Sequence, residues 1–333
     1  MKTKEQRYVY FGEYPQTIKA DDVEITEIQD ERGYYLGTDG YYYAKVISTP
    51  YNYHIVVKQD RPSLPMKERE TYRLIEREYI FDLYGDKLIF PELEAICFDK
   101  LRHIPNVDSY RFSDGRVILP AIEYFFKVEP IKWSIISEGT DNSFMLSDYV
   151  IDTPTSIMKY LFEMYYDIYR GRGQRIEDAV GNAIAEAKRL AVKDKIRHWA
   201  ENIFYKTGFC DGELNSIIDD KLVSYKDLEL LSDFTTRVPT DYALAKGVQL
   251  HGGYYGNACA WWLYGCDYLV YFDGKPRKCT FRPQDYFQVG ILPSLKLKKE
   301  IDEKEQKKYI KDFNKAIEER KAEAEKWVET ETM

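Results

Sequence analysis

Apolar and polar positions divide the chain into β-patterned stretches, amphipathic helical stretches and a charged tail. From Tyr8 to about Val57 the sequence reads as β: Tyr8-Val9-Tyr10-Phe11-Gly12 as a strand, Glu13-Tyr14-Pro15-Gln16 as a turn, and Gly33 to Val46 as a hairpin folded on Asp39-Gly40. Asp-Gly supplies the residue with positive φ that a tight hairpin requires. Between about Pro62 and Phe98 the character changes, and Pro65 to Ile80 mixes charges with apolar residues at helical spacing, which reads as a mixed insertion. Strands resume at Asp114 to Leu119, Tyr124 to Pro130, Ile131 to Ser137 and Ser143 to Ser147. In the third of these, Ile131, Trp133 and Ile135 alternate with Lys132 and Ser134, the period of a half-buried strand.

Helical periodicity follows. Leu161, Met164, Tyr165 and Ile168 share one stripe of a helix over Met158 to Tyr169, Gly171-Arg172-Gly173 interrupts it, and Ile176 to Tyr205 resumes it, with Ile196, Trp199 and Ile203 as a separable last segment. Beyond Phe209 the pattern gives a short helix near Glu213 to Ile218, a strand at Lys221 to Val223 and a helical turn at Tyr225 to Leu228. A short apolar strand, Val289 to Leu295, precedes a Lys/Glu-rich helix from Glu300 to Val328. Its seam of Ile310, Phe313, Ile317, Ala324 and Trp327 suits either docking on the body of the protein or self-association with a second copy.

Composition narrows the partners. At 333 residues and 44% hydrophobic content the chain can bury a full core. A net charge of -8 argues against nucleic acid and anionic membrane surfaces, which reward clustered Lys and Arg. No run of about 18 apolar residues could cross a bilayer, and Met1 to Arg7 leads straight into Tyr8 without an apolar signal segment, so a soluble, cytoplasmic protein is expected, with a virion component or non-Sec export as alternatives. Tyrosine is the anomaly, with 30 residues against 16 Phe. A ring with a polar tip suits half-wet strands and also ligand-recognising surfaces.

Candidate chemistry is sparse. His54, His103, His198 and His251 stand far apart and form no metal-ligand spacing, and no metal or cofactor is assigned. Cys97, Cys210, Cys259, Cys266 and Cys279 are odd in number and lack CxxC spacing, which indicates reduced thiols. There is no GxSxG, P-loop or GxGxxG in the required context. A catalytic thiol would need a partner such as His251 beside Cys259; small uncharged residues in a β-rich segment are the plainer account of the cysteines.

Several blocks taken in order carry a resemblance: Phe11-Gly12-Glu13-Tyr14-Pro15-Gln16; Tyr34 to Val46; Phe126-Lys127-Val128-Glu129-Pro130-Ile131-Lys132-Trp133; Ile196 to Phe209; Pro239-Thr240-Asp241-Tyr242-Ala243-Leu244-Ala245-Lys246-Gly247; Trp261-Trp262-Leu263; and Val289 to Leu295. Together they resemble a bacterial domain family of unknown function with FGxYPQ, WWLRS and GVRPAL blocks. The resemblance implies an α+β fold with a C-type-lectin-like core of twisted antiparallel strands and flanking helices, related in outline to formylglycine-generating enzymes and to ligand-binding proteins diversified by retroelements. This chain departs from the pattern with Tyr264-Gly265 after Trp261-Trp262-Leu263 and with Ile291 in place of an arginine. The implied organisation is an N-terminal β section over 1–61, a mixed insertion over 62–110, the lectin-like domain over 111–298 with a helical insertion at about 153–195, and the charged helix over 299–333. The implied function is a non-enzymatic binding module that meets a protein or glycan ligand through Tyr254, Tyr255, Trp262, Tyr264, Asp267, Tyr268 and Tyr271, with Tyr264 to Leu269 as a candidate diversified segment. A cysteine-dependent enzyme of the formylglycine-generating type and a structural or virion component are the alternatives.

Overall fold

The computed structural model describes residues 7–48, 55–59, 71–75, 111–118, 122–138, 143–153, 164–175, 178–179, 182–183, 186, 192–218, 237–248, 250, 259, 261–263, 268–270, 276–278, 289–298 and 302–331. It is an α+β protein organised around one long strand. Strand β7 (Glu123–Glu138) pairs along one edge with β1 (Tyr8–Ile18) and along the other with β4 (Tyr42–Ile47) and then β8 (Ser143–Ser147), all antiparallel. Two further strands, β2 (Ile25–Gln29) and β3 (Tyr35–Gly37), extend the sheet beyond β4.

The two strands expected at Tyr124 to Pro130 and Ile131 to Ser137 are therefore one. Proline is normally excluded from the middle of a paired strand because it has no N–H to donate. Pro130 is accommodated because β4 leaves off opposite Lys127 and β8 begins opposite Trp133, so that edge carries no ladder beside it. On the other edge β1 bulges, with register shifts between Tyr10 and Glu13 and between Pro15 and Thr17. The turn expected at Glu13 to Gln16 is this irregular stretch of β1, and Gln16 replaces the disturbed ladder by donating from Nε2 to the carbonyls of Glu129 and Pro130 at 2.9 and 3.1 Å.

The hairpin on Asp39-Gly40 forms as expected: β3 pairs with β4, and Gly40 takes φ +81°. Three other expectations are corrected. The helical spacing over Pro65 to Ile80 gives way at Thr71–Ile75, which is strand β6 paired with β5 (Ile55–Gln59); Thr71, Tyr72 and Ile75 are strand-favouring residues. Asp114-Gly115 makes a turn between Arg111 and Val117, which bridge across it, instead of opening a strand. The helix near Glu213 to Ile218 is shifted to Asp211–Leu214, leaving Ile217 to bridge Leu297. The segments Lys221 to Val223 and Tyr225 to Leu228 lie outside the described residues.

A helix over 164–171 ends at a turn in which Gly173 has φ +78°, in agreement with the expected break. Helix α1 (Val192–Trp199) runs into a π-helical turn (Ala200–Phe204) and then α2 (Tyr205–Gly208). Within the widened turn Trp199 and Phe204, five residues apart, stack at 4.8 Å and 12°. Helix α3 is Asp211–Leu214, α4 is Asp241–Ala245 and α5 is Glu303–Glu331. Val9, Tyr14, Phe126, Trp133, Met145, Ile196, Trp199, Phe204, Leu295 and their neighbours form the main core. Tyr14 is its hub, meeting Trp199, Phe204 and Tyr242 edge-on at 6.3, 5.5 and 5.7 Å.

A second sheet has the order β11 (Pro276–Lys278), β10 (Tyr268–Val270), β9 (Trp261–Leu263), β12 (Gly290–Leu292). It joins the main sheet through a single residue, Pro293, beyond which β13 (Ser294–Leu297) pairs with β8. Of the two roles open to α5, docking is the one observed. Phe313 meets Tyr41 at 6.0 Å between ring centroids, Arg320 donates from Nε to the Gly40 carbonyl at 2.9 Å, and Ile317 and Ala324 are buried. Ile310 and Trp327 are half-buried. No helix among the described residues is long and apolar enough to cross a membrane.

Candidate functional site

Of the residues expected to meet a ligand, Tyr254, Tyr255, Tyr264, Asp267 and Tyr271 lie outside the described residues, as do His251, Cys97, Cys266 and Cys279. Trp262 and Tyr268 fall on adjacent strands of the second sheet. Trp262 stands opposite Leu269 on β10 and Ile291 on β12, whereas Tyr268 stands opposite Lys278 on β11, so the two occupy alternate register positions and are not a directly opposed pair.

What the described residues bring together is a polar centre in the core. Asp152 follows Val150 and Ile151 out of the turn after β8 and is wholly buried. Its backbone bridges β12: the Ile291 N–H donates to the Asp152 carbonyl at 2.7 Å, and the Ile151 N–H donates to the Ile291 carbonyl at 3.1 Å. Its carboxylate collects four donors. Tyr14 Oη and Trp199 Nε1 donate to Oδ2 at 2.5 and 2.9 Å, the Thr153 N–H donates to Oδ1 at 2.7 Å, and Lys246 Nζ stands 3.2 Å from Oδ1. Lys246 also lies 4.8 Å over the Tyr242 ring and donates to its hydroxyl at 3.3 Å. Burial, and then the Asp152 charge, holds the Tyr14 phenol well above its ordinary value; burial raises Tyr242 against the pull of Lys246.

This arrangement fixes structure and leaves little for chemistry. A carboxylate has about four lone-pair sites, and the donors here occupy both oxygens, so Asp152 is committed to holding these elements together. It ties β1, α1, α4 and β12 to one point. An ion pair this deep offsets its own desolvation only when its remaining polar groups are also hydrogen-bonded, and here Tyr14, Trp199 and Thr153 on Asp152 and Tyr242 on Lys246 supply such bonds.

Two other carboxylates act similarly. Asp241, the first residue of α4, accepts the Ile18 N–H at 3.0 Å and both the N–H and hydroxyl of Ser113 at 2.7 Å, while Thr240 caps the helix by accepting from the Ala243 N–H. Asp148 holds Lys132 at 2.9 Å and Arg237 at 3.3 Å and accepts from the Ser134 hydroxyl. Burial lowers the Arg237 guanidinium against the pull of Asp148, and its Nε is buried without a hydrogen-bond partner. Among the described residues no three His, Cys, Asp or Glu side chains gather as a metal site would require.

Neither thiol among the described residues is well placed for nucleophilic work. Cys259 is fully buried, its Sγ 3.6 Å from the Arg237 carbonyl, and burial pushes its thiol up. Cys210 is exposed at the start of α3, but partial burial of its sulfur raises the thiol as well, with the Glu213 carboxylate adding to the shift. His198 is half-buried on α1, with Trp199 beside it wholly buried.

No family model, curated protein or solved structure matches the chain.

Sequence reasoning found the pieces of the Asp152 centre without finding the centre. Tyr14, Trp199, Tyr242 and Lys246 each lie in one of the blocks noted above, and Ile291 in another, yet Asp152 lies in none. Its one signal is a lone acid after the apolar pair Val150-Ile151, a position where a carboxylate must find partners or neutralise. Ile291, which stands where the resemblance has arginine, is wholly buried in the main core, so apolar packing fills that place.

Proposed function

We propose that this chain is a non-enzymatic binding module on a C-type-lectin-like scaffold, related to the FGxYPQ/WWLRS/GVRPAL domain family, and that it meets a protein or glycan partner through the aromatic block of its second sheet. The observation that carries this reading is that the buried carboxylates named above are taken up by structural partners. Asp152, Asp241 and Asp148 are each consumed in tying elements together, and Cys259 is buried with its thiol raised. The second sheet has the opposite character. Its strands β9, β10 and β11 are three residues each, linked through 264–267 and 271–275, and β9 and β10 carry Trp261, Trp262 and Tyr268 of the aromatic block. Loops carried on a sheet commonly present side chains to a ligand, and tyrosine rings stack on sugars or fill protein pockets at low entropic cost.

The test pairs binding with thiol chemistry. The intact chain and a Tyr264→Ser/Tyr268→Ser/Tyr271→Ser variant are titrated against an immobilised oligosaccharide panel, and the five thiols are alkylated with iodoacetamide at neutral pH. Saturable binding lost in the variant while circular dichroism is unchanged, with uniformly slow thiols, supports the reading. One thiol reacting far faster than free cysteine overturns it in favour of a cysteine-dependent enzyme. For the diversified segment, sibling isolates should differ at Tyr264 to Leu269 beside a reverse transcriptase gene; an invariant locus lacking one removes that part.

A further inference from the structure

Lys132 and Ser134 alternate with Trp133 along β7, so they stand on the face of the main sheet opposite the core that Trp133 enters. Ser134 is wholly buried there, and its hydroxyl donates to Asp148. Backbone bonds fix the charged groups around it. The Asp148 N–H donates to the Lys132 carbonyl at 2.9 Å, the Arg237 carbonyl accepts the Cys259 N–H at 3.2 Å, and the Val238 carbonyl accepts the Val150 N–H at 3.1 Å.

The charges held in this way do not balance. Lys132 and Arg237 share one carboxylate, and Lys132 is the better paired: its Nζ stands 2.9 Å from Asp148 Oδ2, whereas Arg237 reaches Oδ1 from Nη1 at 3.3 Å. A guanidinium carries N–H donors on all of its nitrogens. Among the described residues that long contact is the one hydrogen-bond partner of the Arg237 side chain, although the side chain is only 11% exposed, and its Nε is buried without an acceptor. Buried donors are matched as a rule, and an orphan asks for an explanation. Support of Asp148 is not a sufficient one, because Lys132 and Ser134 already supply it at shorter range. With Nη1 turned to Asp148, the remaining edge of the guanidinium is Nε with Nη2, whose parallel N–H groups match the oxygens of a carboxylate, sulfate or phosphate.

We propose that Arg237 anchors an oxyanion-binding site, in which its Nε–Nη2 edge takes two oxygens of a carboxylate, sulfate or phosphate and Lys132 supplies the second positive charge. Because Nε is sealed from solvent where it stands, binding turns the guanidinium off its 3.3 Å contact, and Lys132 keeps Asp148 neutralised as it does so. The Lys132 ammonium, 30% exposed and 3.8 Å over the Tyr8 ring, marks the side from which the anion enters.

The test uses the full chain with isotopically labelled arginine side-chain nitrogens. Sodium phosphate, sodium sulfate, sodium acetate and sodium N-acetylneuraminate are each titrated against sodium chloride at constant ionic strength. At least one should move the Arg237 Nε–H resonance saturably, the resonance being assigned by its loss in Arg237→Lys. In calorimetry Arg237→Lys, which keeps the charge but not the fork, should weaken that anion about tenfold or more, and Lys132→Met should weaken it as well. A response to phosphate or sulfate supports a site for free inorganic anions, and a response to N-acetylneuraminate alone supports one for a sugar-borne carboxylate. In chloride, Arg237→Met should match the parent chain in urea unfolding, because it removes a poorly bonded buried charge and leaves Asp148 on Lys132. An Nε–H resonance that none of the anions moves, or an affinity unchanged in Arg237→Lys, overturns the proposal. Should Arg237→Met fold poorly, the parent and Arg237→Lys carry both of these arms unaided.

Discussion

The carbonyl of Ile317 sits where a side chain on Gly40 would begin: a Cβ at Gly40 would stand 2.3 Å from that oxygen. The hairpin turn and the C-terminal helix therefore meet backbone to backbone, and Gly40 serves two demands, a φ of +81° and the absence of a side chain under α5. Arg320 secures the same contact by donating to the Gly40 carbonyl and lying 4.7 Å over the Tyr42 ring.

Gly40→Ala is expected to loosen α5. A left-handed backbone costs a non-glycine residue about 1–2 kcal/mol, and the clash with Ile317 adds to that. Gly33→Ala separates the two terms, since Gly33 has φ +79° with nothing within 4 Å of its would-be Cβ. Both variants should lose stability in urea, but only Gly40→Ala should speed protease cleavage and amide exchange within Glu303–Glu331. Equal protection of α5 in the two chains would show that the Ile317 contact carries no weight.

Lys246 and Tyr14 should prove coupled through Asp152. Removing the lysine leaves a buried carboxylate without its counter-ion, a change that costs about 3–5 kcal/mol when one partner of such a pair is lost. Tyr14→Phe removes one hydrogen bond to a charged group, worth about 1.5–3 kcal/mol. Lys246→Met should therefore be the more damaging in urea unfolding. Because both act on one carboxylate, the double variant should depart from additivity by at least about 0.5 kcal/mol; strict additivity would show that Asp152 is not the shared acceptor.

Where the sequence was legible, a local demand and its fold context agreed. Asp39-Gly40 formed its hairpin, Ile131 and Trp133 turned inward, and the seam of α5 found a surface. Two of the misreadings share a cause: a local signal was overruled by pairing partners far along the chain. Pro130 looked like a strand terminus, but β4 and β8 leave room beside it; Glu13 to Gln16 looked like a turn, but β7 holds it extended. Asp152 was invisible for the same reason. Its four donors come from Tyr14, Thr153, Trp199 and Lys246, and no spacing rule joins these positions. The residues proposed to meet a ligand come from the aromatic block alone, and the two that lie among the described residues, Trp262 and Tyr268, stand at alternate register positions.

Alkaline pH should unfold the protein steeply. Burial holds the phenols of Tyr14, Tyr43, Tyr242 and Tyr309 above their ordinary value, with Asp39 adding to the effect at Tyr43 and Glu213 at Tyr309. Above about pH 10 the unfolded chain releases these protons while the native chain keeps them. The native state then binds more protons, so stability falls as pH rises from the ordinary tyrosine value through the raised ones, by up to about 1.4 kcal/mol per pH unit for each group. Below pH 10 these groups contribute no slope. Tyrosinate absorbance at these sites should appear together with loss of ellipticity, and Tyr309→Phe should make the decline shallower. Ionisation of the buried phenols well before unfolding would contradict the assignment.

The joint between the two sheets should be sensitive to one methyl group. Gly290 opens β12 opposite Trp261 of β9, and Val150 fills the space beside it: a Cβ on Gly290 would stand 2.0 Å from Val150 Cγ1. Gly290 does not have positive φ, so alanine there brings crowding without backbone strain. Overpacking of this kind costs about 1–3 kcal/mol. Val150→Ala alone should also destabilise, by leaving a void among Phe144, Leu146, Ala243 and Leu292. Combined, Gly290→Ala places its methyl group where the valine methyl was, so the double variant should be more stable than the sum of the two losses. Because β12 couples the aromatic sheet to the main one, Gly290→Ala should also weaken any ligand binding by the second sheet, and Val150→Ala should restore it. Binding that survives Gly290→Ala unchanged would place the ligand elsewhere than on β9 and β10.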